Sequence, residues 1–290
     1  MKTLISLSLL FLLIPPRFLS AEEGIIEKDI IYTIVEGDNG NIIEGKIGLR
    51  WEYIAQVNSI DPYAPLQSGQ KLKISFKRII PMRLDNGIVI NIPDRTLYRF
   101  SDGKLKDYYF IAAGKPAWQT PFGEFTIKNK AKNPTWYVPE SIQKEMEEKG
   151  KDVLIEVPPG RENPLGKHWL QLSIKGVGLH GTNAPQSIYK FRSHGCMRLR
   201  AEVAEFLYKD IPIGTKGIII YEPVKVMKTT DNRILVEIYR DFYKRGIDYH
   251  ENITAKIKEL GVLDRVDWYK IIEAIEEKDG LVWDVTRVIK

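Results

Sequence analysis

Ser193-His194-Gly195-Cys196-Met197-Arg198-Leu199 gathers a thiol, an imidazole and a guanidinium into seven consecutive residues, and a second histidine-glycine pair, His180-Gly181, stands sixteen residues before the thiol. Cys196 is the only cysteine among 290 residues. It has no disulfide partner in the chain, so its reactivity is the natural reason for its presence. The bland alternative is a buried structural cysteine, and the glycine, serine and histidine around it argue against that. A free thiol is mostly protonated near neutral pH, so a nucleophilic cysteine needs a group that takes its proton or holds its anion.

His194 is two residues away, where side chains of an extended or turn segment rarely face one another. His180 can come from a neighbouring strand, and it is the expected base. A thiolate-imidazolium pair of this kind brings a cysteine pKa to roughly 3–7. The imidazole needs an orienting third group, for which Asn183, Asp210 and the backbone carbonyl of Gly181 are the candidates. Gly181 and Gly195 also let the backbone approach a substrate. The amides of Gly195 and Cys196 are the expected oxyanion donors, one such donor being worth roughly 2.7–4 kcal/mol in the barrier. Zinc is the rival reading, because His180, His194 and Cys196 are all ligands by type. No His-Glu-x-x-His or Cys-x-x-Cys frame is present, so neither metal nor cofactor is expected.

The elements that must carry these residues are mostly short strands. Residues 88–92, 96–100, 108–112, 124–127 and 169–172 alternate apolar and polar side chains, with turns at Ser101-Asp102-Gly103 and Thr120-Pro121-Phe122-Gly123. That density predicts a mainly β fold with a β-sandwich-like or barrel-like core. One helix is expected from Glu202 to Lys209, with Val203, Phe206 and Leu207 on one face. Residues 30 to 76 read as a separate small unit, with a strand at Ile31–Val35, a helical stretch at Trp51–Asn58 and a closing turn and strand at Ser68–Ile74, and residues 225 to 290 as an accessory α+β segment. In that segment a strand is expected at Ile234–Tyr239 and an amphipathic helix near Asp267 to Lys278, with Trp268, Ile271, Ile272 and Ile275 on its face and Gly280 ending it.

Leu4 to Ile14 is an apolar run behind one lysine, followed by Ala21 and an acidic pair. Residues 1 to 21 are therefore read as a cleaved export signal rather than a membrane anchor, leaving a soluble mature protein. With 43% hydrophobic residues the chain can bury a substantial core, and its formal charge of +5 is too evenly spread to argue for nucleic acid.

Residues 30 to 76 resemble a LysM module, which implies a small βααβ domain, through the opening Tyr32-Thr33-Ile34-Val35-Glu36-Gly37-Asp38, Asn58 and Gly69-Gln70-Lys71-Leu72. Asn39 departs from the threonine or serine usual after the Gly-Asp pair, and extra residues follow through Glu44. The likeness implies contact with N-acetylglucosamine polymers; a degenerate packing domain is the alternative. Residues 86 to 222 resemble a YkuD-type L,D-transpeptidase. His180-Gly181-Thr182, Ser193-His194-Gly195-Cys196 with Arg198, Thr120-Pro121-Phe122-Gly123-Glu124-Phe125, Asn133-Pro134-Thr135-Trp136, Pro158-Pro159-Gly160 and Asn163-Pro164-Leu165-Gly166 carry the likeness. Tyr189 stands where the similar periplasmic subgroup often has glycine.

The resemblance implies that Cys196 attacks the amide between diaminopimelate and the terminal D-alanine of a peptidoglycan tetrapeptide stem. The thioester then passes to an amine, either another diaminopimelate or a lipoprotein lysine. His180 is the implied proton carrier, oriented by the Gly181 carbonyl. Ser193, His194, Gly195 and Arg198 are assigned to the pocket and the oxyanion, and the expected compartment is the periplasm. Two other functions remain open on the residues alone: a hydrolase that uses the same thioester, and a non-catalytic wall-binding protein.

Overall fold

The computed structural model describes residues 24–288; the export signal expected over residues 1 to 21 lies outside them. Strands β1 (Ile25–Thr33) and β2 (Lys71–Ile79) pair antiparallel, with helices α1 (Gly40–Ile47) and α2 (Trp51–Val57) between them. On β2, Leu72, Ile74 and Phe76 point into the core while Lys71, Lys73 and Ser75 face out. The Asn39 side chain accepts the Ile42 N–H at 3.1 Å and so caps α1, the task a threonine or serine performs. The residues that read as an insertion are the first turns of that helix. Asn58 ties α2 to β2 by donating to the carbonyls of Ile54 and Lys73 and accepting from Lys73 N–H.

The central domain runs through β3 (Gly87–Asn91), β4 (Thr96–Ser101), β5 (Lys104–Phe110), β6 (Ala113–Gly114), β7 (Gly123–Lys132), β8 (Trp136–Tyr137), α3 (Glu140–Glu148) and β9 (Glu156–Val157). It continues with β10 (His168–Leu172), β11 (Gly178–His180), β12 (Phe191–Ser193), β13 (Met197–Arg198), α4 (Ala201–Asp210) and β14 (Lys216–Ile220). The architecture is mainly β. Its principal layer is one curled mixed sheet ordered β13-β11-β10-β7-β14-β3-β4-β5, with β6–β12 and β8–β9 as separate ribbons. Two pairings in that sheet are parallel, β14 with β3 and β11 with β13. The main core joins Ile88, Ile90, Phe125, Leu170, Leu179 and Met197 from the sheet to Val203, Ala204 and Leu207 of α4. Phe206, expected on that face, is exposed and Ala204 takes its place.

The C-terminal segment forms a three-stranded antiparallel sheet, β15 (Val224–Lys228), β16 (Ile234–Tyr239) and β17 (Asp279–Asp284), with α5 (Tyr249–Glu259) and α6 (Trp268–Glu277). Asp267 caps α6. Ile271, Ala274 and Ile275 are its buried face, whereas Trp268 and Ile272, expected there, are exposed. Lys278, at φ 45°, is the left-handed terminator; Gly280 already belongs to β17 and lies against the Tyr239 ring. No helix among the described residues is long and apolar enough to cross a membrane.

The three units meet at a buried polar hub. Arg78 from β2, Asp94 from the turn after β3, and Lys225 and Glu237 from the tail are each at most 2% exposed, two cations against two carboxylates. Lys225 Nζ lies 2.9 Å from Asp94 and 2.8 Å from Glu237. Arg78 donates to Thr96 Oγ1 (2.7 Å), the Gly48 carbonyl (2.7 Å) and the Tyr189 hydroxyl (2.8 Å). Tyr189, at φ 64°, thus joins the hub where a glycine would have no side chain to offer.

Candidate active site

His180 ends β11, whose two neighbours fix its position. Trp169 of β10 is its antiparallel partner and Arg198 of β13 its parallel partner. The Leu199 N–H donates to the His180 carbonyl at 2.7 Å and the Gly181 N–H to the His168 carbonyl at 3.2 Å. Through the parallel pairing, the expected base, distant in sequence, comes one strand away from the segment that begins at Cys196. The indole of Trp169 packs on the imidazole with ring centres 5.7 Å apart. A Cβ on Gly178 would lie 2.4 Å from that indole, so the glycine makes room for it.

The Ser193–Cys196 turn is braced from within. Gly195 has φ 107°, a conformation L side chains rarely adopt. The Ser193 hydroxyl donates to the Cys196 carbonyl and accepts the Gly195 N–H, the latter at 3.2 Å. Of the two amides expected as oxyanion donors, Gly195 is therefore already engaged, because the serine beside it competes for that proton. The Cys196 N–H donates to no backbone carbonyl. The thiol is half-buried, and its Sγ lies 3.4 Å from the Gly176 carbonyl.

His180 Nδ1 sits 2.6 Å from the Gly181 carbonyl. A carbonyl only accepts, so Nδ1 carries the proton of the neutral ring and Nε2 keeps its lone pair. The other two candidate orienting groups lie elsewhere: Asn183 donates to the Glu162 carbonyl, and Asp210 pairs with Arg99 and Lys106. Burial pulls the imidazole down to about 4, with the Gly181 bond opposing it. Burial likewise pushes the Cys196 thiol above its ordinary value, opposed by a backbone hydrogen bond and by Arg198. Both shifts favour the uncharged form of each group. Burial works against the expected ion pair, because desolvation penalises both charged forms. Arg198 is half-buried beside both groups, with Nη1 3.3 Å from the Ser187 hydroxyl.

His194 is turned toward α3. Its Nε2 lies 2.6 Å from Glu145 Oε2, and its ring is 5.4 Å from that of Trp118. Glu145 also receives Lys115 and Lys149, and these bonds, Lys149 first and then His194 and Lys115, hold its carboxyl well below the usual range. The segment carrying α3 is pinned at its base by buried Asn163, which donates to the carbonyls of Pro134, Val157 and Pro158. Glu145, Trp169 and Gly178 are site neighbours that the sequence reading missed. The pairing registers of β10 and β11 would have exposed the last two; nothing local marks Glu145. His180, His194 and Cys196 do not gather as ligands, and no group of three or more His, Cys, Asp or Glu side chains among the described residues could hold a metal ion.

A mainly β domain with this thiol turn and imidazole is that of the YkuD-type L,D-transpeptidases, and the chain belongs to that family. The L,D-transpeptidase catalytic domain model matches residues 85–226, and the LysM domain model matches residues 32–75. The chain is 34% identical over 217 residues to the probable L,D-transpeptidase YcfS of Escherichia coli, covering 72% of this chain and 68% of that protein. It is 27% identical to the probable L,D-transpeptidase ErfK/SrfK of Salmonella typhimurium, over 77% of this chain and 74% of that one. Among solved structures, an L,D-transpeptidase from Mycobacterium smegmatis aligns over 54% of this chain and 76% of that chain, with 19% identity and a TM-score of 0.38.

Proposed function

We propose that this L,D-transpeptidase works through a thioester on Cys196 with His180 as its proton carrier. The observation that carries the reading is the 2.6 Å contact between His180 Nδ1 and the Gly181 carbonyl, which commits the other ring nitrogen to accepting a proton. Because thiol and imidazole are both neutral at rest, proton transfer to Nε2 accompanies attack of Sγ on the amide carbonyl between diaminopimelate and D-alanine. The Cys196 N–H is the free donor for the oxyanion. Breakdown of the tetrahedral adduct cleaves the C–N bond while His180 returns its proton to the departing D-alanine amine. An incoming amine gives its proton to His180, attacks the thioester carbonyl and expels the thiolate, which takes the proton back. The acceptor is a second diaminopimelate or a lipoprotein lysine. Arg198, a cation beside both reacting groups, suits a carboxylate of the stem, and Ser193 and Gly195 hold the turn that presents the thiol. The reaction belongs outside the cytoplasm, in the periplasm of a cell with an outer membrane, with the LysM domain contacting the glycan.

The test is mass spectrometry of the mature protein incubated with a disaccharide-tetrapeptide, without and then with an added amine. A covalent adduct on Cys196 and a product lacking D-alanine but joined to the amine are expected, with neither formed by Cys196→Ala. Tripeptide alone, even with amine present, would assign the chain to the hydrolases, and turnover by Cys196→Ala would refute the mechanism.

A further inference from the structure

A cleft of about 390 Å³ opens where all three units meet, lined in part by the residues that precede the Ser193–Cys196 turn. Strand β12 forms one wall with Phe191 and Arg192, and its last residue, Ser193, begins that turn. Pro116 lies on the rim, at the start of the short turn that ends at Trp118 against His194. The lining holds six cations and three carboxylates, a net charge of +3. One of those cations, Lys190, is paired with Glu44.

Arg95 is the decisive residue. It is 7% exposed, yet no carboxylate pairs with it and its Nε has no acceptor. Its guanidinium stands 4.0 Å from the Tyr189 ring centre and 5.0 Å from that of Phe191, both in the cleft wall. Stacking on aromatic rings occupies the faces of a guanidinium and leaves its in-plane N–H fork free. Arg50, from the LysM side of the same cleft, also has a buried Nε without an acceptor. A buried guanidinium held by rings and denied a partner is expensive for a protein to keep. One such guanidinium, with the unpaired Nε of half-buried Arg50 in the same positive cleft, amounts to a built receptor for an anion.

We propose that this junction cleft binds a carboxylate of a peptidoglycan stem peptide, with Arg95 as the fork and Arg50, Arg192 and Arg240 as the surrounding field. The identity of the ligand rests on the reaction proposed above; the preference for an anion does not. A planar carboxylate matches the two-pronged geometry of guanidinium, and the cleft lies between the LysM domain and the strand that delivers the thiol. The site is separate from Arg198 and binds a stem segment on its way to Cys196.

The experiment is equilibrium titration of the full mature protein carrying Cys196→Ala with a disaccharide-tetrapeptide, with the same ligand amidated at its carboxylates, and with inorganic phosphate. Binding of the free acid should weaken about tenfold on Arg95→Gln and on Arg240→Glu, and the amidated ligand should bind parent and variants alike. Arg240 is exposed, so its variant tests the idea even where Arg95→Gln fails to fold. Equal affinities, within twofold, of parent and both folded variants would overturn the proposal. So would an amidated ligand as tight and as variant-sensitive as the acid. Phosphate binding tighter than the stem and lost in the same variants would overturn the carboxylate assignment. Adduct formation on wild-type Cys196, measured in parallel, reports on the reaction by itself. An adduct without variant-sensitive binding removes the cleft proposal alone, and variant-sensitive binding without an adduct removes the mechanism alone.

Discussion

Acid should slow thiol chemistry here far later than it does for an ordinary histidine. With the His180 pKa at about 4, about 97% of the base is still neutral at pH 5.5, against about 9% for an imidazole at 6.5. Adduct formation on Cys196, followed by mass spectrometry at saturating stem, should therefore stay level from pH 7.5 to 5.5 and fall tenfold per unit only below about 4. Alkylation of the unliganded thiol by iodoacetamide should rise continuously through pH 9, because burial raises the Cys196 pKa. A rate that drops tenfold between pH 6.5 and 5.5, or alkylation already level between pH 5 and 7, would refute the neutral pair. Stability carries the same signature. The folded state keeps His180 deprotonated where the unfolded chain protonates it, so its contribution is complete above 6.5. That contribution is lost as pH falls toward 4, at a cost of roughly 3 kcal/mol.

Arg78→Met and Glu237→Gln each leave an unpaired buried charge in the hub and should cost roughly 3–5 kcal/mol in denaturant unfolding. The double variant should cost less than the two together by at least about 1 kcal/mol, and strict additivity would show that the groups act independently. Glu145→Gln weakens contacts to Lys115, Lys149 and His194. Hydrogen exchange of the α3 amides should accelerate with global unfolding unchanged; α3 protection equal to wild type would remove Glu145 as the tie.

The thiol turn was legible because its chemistry is local: Ser193 through Arg198 sit side by side in the sequence. The glycine-rich turns and alternating strands gave the mainly β character for the same reason. Helix α3 left no trace, since it buries no residue and so writes no apolar stripe. Helix α5 buries only Ile253 and Ile257, too few to stand out. Helix α1 hid behind Gly40 and Gly45, which lower helix propensity, and behind a cap formed by an asparagine. The pull of burial on Cys196 and His180 was illegible in principle, because a motif records residue types whereas burial is a property of the assembled sheet.

The hub accounts for the placement of the LysM domain. A binding module on a slack linker raises only the local concentration of its ligand. Here the module supplies Arg78 and the Gly48 carbonyl, the catalytic domain Asp94, Thr96 and Tyr189, and the tail Lys225 and Glu237. A slip of any unit strands a buried charge, so the network admits one arrangement at far lower cost than its neighbours. Tyr189 stands seven residues before Cys196, and Ile188 beside it packs on Gly45 of α1. The contact that fixes the module thus also fixes the loop leading to Cys196. Lys225 and Glu237 of the C-terminal segment brace that loop from the far side of the hub, through Asp94 and Arg78.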